Sequence, residues 1–453
     1  MRFQAGPAFL LDPDHIDTPA PVIIPRSQHP ISRANISGNA LKVLYRLHER
    51  GYQAFLVGGG VRDLLLGREP KDFDVVTDAR PEEMRKLFRN CRLIGRRFRL
   101  AHVHFGSDVV EVATFRAAPN ADGEGEEGEV VLDDAGRILR DNIYGGIGED
   151  VWRRDFTANA LYYNIADYSV WDYVGGMHDI ESGTLRVIGD PVQRYQEDPV
   201  RMLRAVRFAA KLGFRLHPAS ERPLLELGHL VETVPPARLL DEAEKLLLGG
   251  YALATFELLR HYDLFKYLFP MTDALLAEPD ADAQRTLVTH GLAGSDARVA
   301  AGKPITLVFL LAVLLWGSIR RVASERIERG DSIGEAFRLA TQDVADAQQA
   351  RVALPRRLVQ AVGELCSLQP RFDDPQTRRA LRLLEHPRFR AAYDFMLLRA
   401  EAGEIESSLA ESWTRLQALD PAERETELAH TRPPRRRRRR RTRKARSDDA
   451  ARV

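Results

Sequence analysis

The chain has 453 residues, 44% of them hydrophobic and 29% charged, with 66 Lys and Arg against 65 Asp and Glu. That length and apolar fraction allow two or three buried cores and exclude a fibrous or wholly disordered protein. Two cysteines, Cys91 and Cys366, lie far apart without metal-type spacing, which excludes a disulfide framework and a cysteine zinc site and fits a reducing cytoplasm.

Residues 1–32 are proline-rich and read as an irregular segment; the opening "MRFQAGPAFLLDPDH" makes a poor signal peptide. "SGNALKVLYRLHERG" then places Leu41, Leu44, Tyr45 and Leu47 on one face and stops at Gly51, a helix with a C-terminal glycine. "QAFLVGG", "DFDVVT", "CRLIG", "AHVHFG" and "DVVEVATF" read as short strands, with "RPEEMRKLFRN" a proline-started helix among them. The expected class is α+β, with a small mixed sheet in a domain over residues 33–180. The acidic, glycine-rich stretch 117–137 reads as a mobile loop in that domain. From about Glu149 onward the pattern is almost wholly helical apart from a hairpin at "SVWDYVGG" and "GTLRVIGD". This gives a helical neck over 181–272 and a helical body over 273–430. The apolar run "ITLVFLLAVLLWG" is too short to cross a bilayer and reads as a buried helix, so no transmembrane segment is expected. A separate tail, 431–453, closes the chain. Residues Arg432–Val453 carry 12 basic and 2 acidic side chains, leaving 54 basic against 63 acidic in the rest, so a tail of +10 follows a body of −9. Without apolar surface to offset ordering entropy, the tail is expected to be disordered.

The candidate chemistry lies in "LVGGGVRDLLLGREPKDFDVVTD". In a strand, residues two apart share a face, so Asp72 and Asp74 project together while Phe73 and Val75 face the core. Side-by-side carboxylates are costly unless a cation neutralises them, and two-metal phosphoryl transfer wants such a pair. Glu111, alternating with Val110 and Val112, is the candidate third carboxylate. An exposed polar strand face is the competing reading of a lone Asp-x-Asp. Gly58 and Gly59 form a turn between strand and helix where backbone N–H groups can hold a triphosphate, with Arg62 on the first helical turn. A glycine turn alone is more often a tight connection; strand, turn, Arg62, helix and Asp-x-Asp strand together are more specific.

With these motifs the chain resembles the nucleotidyltransferase superfamily that contains DNA polymerase beta, and within it the bacterial branch of CCA-adding enzymes and poly(A) polymerases. "GGGVRD" is similar to that branch's phosphate turn, "DFD" to its metal pair, "RRDFTANAL" to its ribose-contacting helix and "EDPVRMLRAVRFAAKLG" to its base-reading segment. The resemblance covers roughly Asn39 to Gly250 and is weakest between Thr272 and Asp343 and in the acidic loop. It implies that Asp155 and Asn159, four apart on one helical face, receive a ribose hydroxyl or help orient the metals, with Arg153 and Arg154 serving the phosphates. Asp198 reads locally as an N-cap before Pro199. Arg201 opposes the helix dipole there, and the resemblance has Asp198 and Arg201 present hydrogen-bonding edges to the incoming base. Arg204 and Arg207 continue that face toward the triphosphate or primer.

"LIGRRFRLAHVHF", with Arg96 and Arg97, resembles the signature of the poly(A) polymerases. The basic tail points the same way, because Arg435, Arg436, Arg437, Arg438, Arg439, Arg440 and Arg441 offer sequence-independent phosphate attraction. The implied function is template-independent addition of AMP from ATP to RNA 3′ ends, in mRNA polyadenylation and RNA turnover. The implied cofactors are two Mg2+ ions, Mn2+ substituting. The partners are RNA 3′ ends and ATP, with RNA-decay proteins reached through the tail and the enzyme a cytoplasmic monomer. The alternatives are a CCA-adding tRNA nucleotidyltransferase and, from another class, an inactive RNA-binding adaptor.

Overall fold

The structure, a computed structural model, describes residues 20–95, 99–117, 131–132, 138–140, 143–373, 375 and 378–424. Packing divides the chain into two compact units, Met1–Leu246 with Ala254–Tyr267, and Leu247–Leu253 with Leu268–Val453.

The first unit is built on an eight-stranded sheet. In chain order it holds β1 (Val22–Ile24), α1 (Gly38–Glu49), β2 (Ala54–Val57), α2 (Gly59–Leu65), β3 (Asp74–Thr77), α3 (Pro81–Leu87), β4 (Cys91–Ile94), β5 (Leu100–Phe105) and β6 (Asp108–Thr114). After the short strands β7 (Val131–Leu132) and β8 (Ile138–Arg140) come α4 (Ile147–Trp152), a 3-10 turn at Thr157–Asn159, β9 (Leu161–Asn164) and β10 (Val170–Asp172). The sheet order is β1-β10-β9-β2-β3-β6-β5-β4. Within it β3 and β6 run parallel, and the other neighbours are antiparallel. All five strands expected between Gln53 and Phe115 form, as does the helix between them.

Alternation explains how both sheet faces are covered. Leu56, Val75, Ala101, Val103 and Val112 point to one side, where α1 packs Ala40, Val43, Leu44 and Leu47, its i, i+3, i+4 and i+7 positions. Phe55, Val57 and Val76 point to the other, against Phe115, Val151 and Tyr162. Asp74 and Glu111 share parity with Val76 and Ala113, so they belong to this second face. Helix α1 starts where the Ser37 side chain accepts from Asn39 and Ala40 N–H and ends before Gly51 at φ +86°.

Three expectations need correction. The proline-rich start contributes the edge strand β1, paired with β10, because Val22–Ile24 adds backbone hydrogen bonds to an otherwise open edge. The expected hairpin does not form: β10 pairs with β9, whereas β11 (Thr184–Leu185) pairs in parallel with β12 (Arg215–Leu216). The segment after Glu149 is not wholly helical, since β9 is a buried sheet strand between β10 and β2. β7, within the acidic stretch, pairs antiparallel with β8 just beyond it; the expectation of a mobile loop otherwise falls on residues outside the described set.

Helices complete the unit, among them α5 (Gly176–Glu181), α6 (Pro191–Glu197), α7 (Val200–Leu212), α8 (Pro218–Leu227) and α9 (Pro236–Leu248). The second unit is all-helical among its described residues. Its longest helix, Leu307–Glu328, has 22 residues and a composition that could cross a membrane, yet Leu310–Ile319 are buried inside the unit, as the apolar run suggests. There Glu404 accepts from Trp316 Nε1 at 2.9 Å and Arg399 Nε at 3.2 Å, giving a buried carboxylate two donors.

The start of α5 locks the segment before β9. A Cβ on Gly176 would sit 2.3 Å from the Thr157 carbonyl oxygen, and Thr157 Oγ1 donates to Asp179 Oδ2 at 2.7 Å. Gly176→Ala must push the 157–159 turn away from α5 and is expected to cost about 1–3 kcal/mol. Thermal unfolding checks this; an unchanged melting temperature would contradict the packing.

Candidate active site

The parallel register of β3 and β6 aligns Val75 with Val112, which places Asp74 and Glu111 side by side at the preceding position. Asp72 lies just before β3, exposed, so only Asp74 of the pair is in the strand itself. Burial pushes the Asp74 carboxyl up to about 6, the Glu111 charge adds to this, Arg154 opposes it, and Asp72 adds further. The three expected carboxylates therefore converge electrostatically on Asp74. Among the described residues no group of three His, Cys, Asp or Glu side chains closes into a ready metal cage. A magnesium site does not need one, because Mg2+ is usually held by one or two carboxylates plus substrate phosphates and water.

The glycine turn abuts this pair. Gly58 takes φ +74°, and a Cβ there would come within 3.7 Å of Asp74 Oδ2 and 3.9 Å of Arg154 Nη1. A Cβ would fit at those distances, so it is the left-handed backbone that favours glycine at this position. Arg154 Nη2 donates to Asp150 Oδ2 at 2.9 Å and its Nε to Tyr162 Oη at 2.8 Å. Burial works against its charge, but Tyr162 and Asp150 more than offset it and hold the guanidinium above its ordinary value. Asp150 also accepts from Tyr162 Oη at 2.9 Å, so the two partners that hold this half-buried cation are themselves linked.

Arg62 is not the free cation that its first-turn position suggests. It is 1% exposed, donating Nε to Asp63 Oδ1 at 2.8 Å and Nη1 to Asn159 Oδ1 at 2.5 Å. A guanidinium has donors enough to fork inward between two acceptors, and here it pins the α2 turn to the 157–159 turn. Gly59 packs directly on it, a Cβ there being 3.4 Å from Arg62 Nη2.

Asp155 and Asn159 come together, but not on an α-helix. Helix α4 ends at Trp152, and the 3-10 turn Thr157–Asn159 brings Asn159 Nδ2 to 3.3 Å from Asp155 Oδ1. Asp155 Oδ1 also accepts from Phe156 N–H at 2.8 Å, while Oδ2 accepts from Arg204 Nε at 2.9 Å and from Arg204 Nη2. Burial alone would raise its carboxyl, but the Arg204 charge and these donors hold it below the ordinary aspartate value. Arg204 is thus committed to Asp155.

Residues that local reading missed organise the expected base-reading segment. Asp198 closes α6 rather than capping α7 alone: Oδ1 accepts from Val200 N–H at 3.3 Å and Oδ2 from Arg238 at 2.7 Å. Arg201 donates to the Arg194 carbonyl at 2.7 Å and to Glu197 at 3.0 Å. Arg194 in turn donates to the Arg154 carbonyl at 2.7 Å and to Glu197 at 2.8 Å. The i, i+3 and i, i+4 spacings of Arg194, Glu197 and Arg201 were the available signal. Arg207 Nε donates to the buried Glu242 at 2.8 Å. Arg96, Arg97 and Arg435 through Arg441 lie outside the described residues.

A carboxylate pair on adjacent strands, a positive-φ glycine beside it and a half-buried arginine near both make up this site. Residues 54–186 match the poly A polymerase head domain, 213–276 the probable RNA and SrmB-binding site of polymerase A, and 329–447 the polymerase A arginine-rich C-terminus. Poly(A) polymerase I of Salmonella typhi is 48% identical over 412 residues, 89% of this chain and 88% of that protein. The CCA-adding enzyme of Bacillus pumilus is 36% identical over 230 residues, 51% of this chain and 54% of that protein. The Thermotoga maritima CCA-adding enzyme complexed with tRNA shares the fold at a TM-score of 0.57 and 22% identity, over 88% of this chain and 87% of its own. The chain belongs to the bacterial poly(A) polymerase family of nucleotidyltransferases.

Arg62→Met leaves Asp63 and Asn159 without their buried donor and is expected to destabilise the fold by about 3–5 kcal/mol. Arg62→Lys should recover little, because an ammonium cannot fork to both acceptors. Denaturant unfolding reads both, and full recovery in the lysine variant would contradict the forked role.

Proposed function

We propose that the chain adds AMP from ATP repeatedly to RNA 3′ ends, releasing pyrophosphate, as the cytoplasmic polynucleotide adenylyltransferase of mRNA polyadenylation and RNA turnover. The observation that carries the chemistry is the register that sets Asp74 beside Glu111 on adjacent parallel strands, with Asp72 just ahead; burial first, and then these charges, raise the Asp74 carboxyl to about 6. Such clustered negative charge fits a divalent cation better than it fits a structural role. Asp72, Asp74 and Glu111 would hold two Mg2+ ions, or Mn2+. When bound, the ions neutralise charge on the attacking 3′-hydroxyl and on the leaving pyrophosphate.

The chain's own residues supply position. Gly58 and Gly59 leave room for the triphosphate against the turn, and Arg154, fixed by Asp150 and Tyr162, presents one positive charge to it. Asp155 and Asn159 face the ribose, with Arg62 and Arg204 holding them in place. Asp198 and Arg201 form the edge read by the base. Each is already tethered, by Arg238 and by Glu197 with the Arg194 carbonyl, which favours one pocket shape and therefore one base.

The division into a head over 33–180, a neck over 181–272 and a body over 273–430 is part of this proposal, with RNA carried by the neck and body. RNA and ATP are the partners; contact with RNA-decay proteins through the tail and a monomeric state complete the reading. Branch choice follows from relatedness, since the poly(A) polymerase relative aligns along nine-tenths of the chain and the CCA-adding one along half.

The test supplies each NTP separately to purified enzyme with an unstructured RNA. ATP is expected to extend the primer many times and CTP to be used poorly. Addition of two CMP and one AMP to a tRNA lacking its 3′ end, followed by arrest, would contradict the proposal.

A further inference from the structure

Glu111 has a second neighbour across the sheet. Strands β5 and β6 pair antiparallel with His102 opposite Glu111, and partners across a sheet share a face. The same face carries Asp74 through the β3–β6 register, so three side chains from three adjacent strands stand in a row: Asp74, Glu111, His102. His102 Nε2 lies 3.2 Å from Glu111 Oε1. The approach is at ion-pair distance but off hydrogen-bond alignment, and the buried Nε2 has no hydrogen-bond partner among the described residues. The histidine is the anchored member, its side chain 19% exposed against 51% for the glutamate, with the His104 ring packed edge-on at 6.2 Å.

A glutamate beside a second carboxylate is pushed away from it by like charge, and its torsions allow it to turn into solvent. Something must keep Glu111 down on the sheet face, out of solvent, if it is to share a cation with Asp74, and His102, on the side away from Asp74, is the neighbour placed to do so. His102 also lies in the stretch Leu93–Phe105, which the sequence singles out for its resemblance to the poly(A) polymerase signature and for which carboxylate chemistry supplies no role.

We propose that His102 is a positioning residue for the metal site, orienting the Glu111 carboxylate so that Glu111 and Asp74 hold a divalent cation together. The inference rests on the reading of Glu111 as a metal-holding residue. A hydrogen-bonded partner behind a ligand contributes about 10–100-fold in metal affinity, so the effect expected of His102 requires Nε2, 3.2 Å from Glu111 Oε1, to close into alignment when the cation is bound.

The experiment titrates Mn2+ alone into the full chain, reading bound ion by electron paramagnetic resonance, with thermal unfolding measured in parallel. His102→Ala is expected to weaken Mn2+ about tenfold or more with little change in melting temperature. His102→Gln, whose amide N–H reaches the Nε2 position, is expected to recover most of that affinity. Glu111→Ala sets the scale and should weaken binding at least as much as His102→Ala. If Glu111→Ala weakens Mn2+ binding but His102→Ala does not, or if His102→Gln binds no better than His102→Ala, the positioning role is overturned while the metal reading stands. If Glu111→Ala binds Mn2+ as the unmodified chain does, both fall.

Discussion

The repulsion between Asp74 and Glu111, imposed by the parallel pairing of β3 with β6, is the constraint around which the first unit is arranged. Three nearby carboxylates have a local cation: Asp150 has Arg154, Asp63 has Arg62, and Asp155 has Arg204. Among the described residues Asp74 forms no ion pair of this kind. Arg154 lowers its carboxyl, but burial, together with the Glu111 and Asp72 charges, outweighs that effect. Charge is thus sorted, with three carboxylates paired within the protein and Asp74 and Glu111 the pair to which the proposed function assigns a divalent cation.

The same sorting separates the groups proposed to touch substrate from the groups that hold them. Arg62, 1% exposed, ties the glycine turn to Asn159, and Arg204 ties α7 to Asp155. Arg194 links the base-reading and phosphate-side segments: its side chain donates to the Arg154 carbonyl and its own carbonyl accepts from Arg201. Arginines suit this work because a forked, permanently charged group can satisfy several acceptors at once.

Much of the site was legible from local pattern. Alternation in "DFDVVT" and "DVVEVATF" put Asp74 and Glu111 on matching faces, and three glycines after an apolar run marked the turn. What escaped was non-local or ambiguous. "LYYN" is too short for its period to show, and it follows "TANA", so β9 read as helix continuing from α4. The spacing of Asp155 and Asn159 gave the right contact through the wrong element, because a 3-10 turn also brings residues this close together into reach. The commitment of Arg62 to Asn159, 97 residues away, and of Arg204 to Asp155, 49 residues away, could not be read from either segment alone. Exposure was misjudged for the same reason: arginines in a functional motif suggest solvent or phosphate, and only packing reveals that these are anchors.

The central claim is that Asp74 is left for a cation while Asp155, with both oxygens taken by Phe156 N–H, Asn159 and Arg204, is not. The most direct measurement compares equilibrium Mn2+ binding by Asp74→Asn and Asp155→Asn in the folded chain. The account predicts that Asp74→Asn loses the ion and that Asp155→Asn keeps it with near-unchanged affinity. Loss of Mn2+ binding in Asp155→Asn, with binding retained in Asp74→Asn, would contradict it.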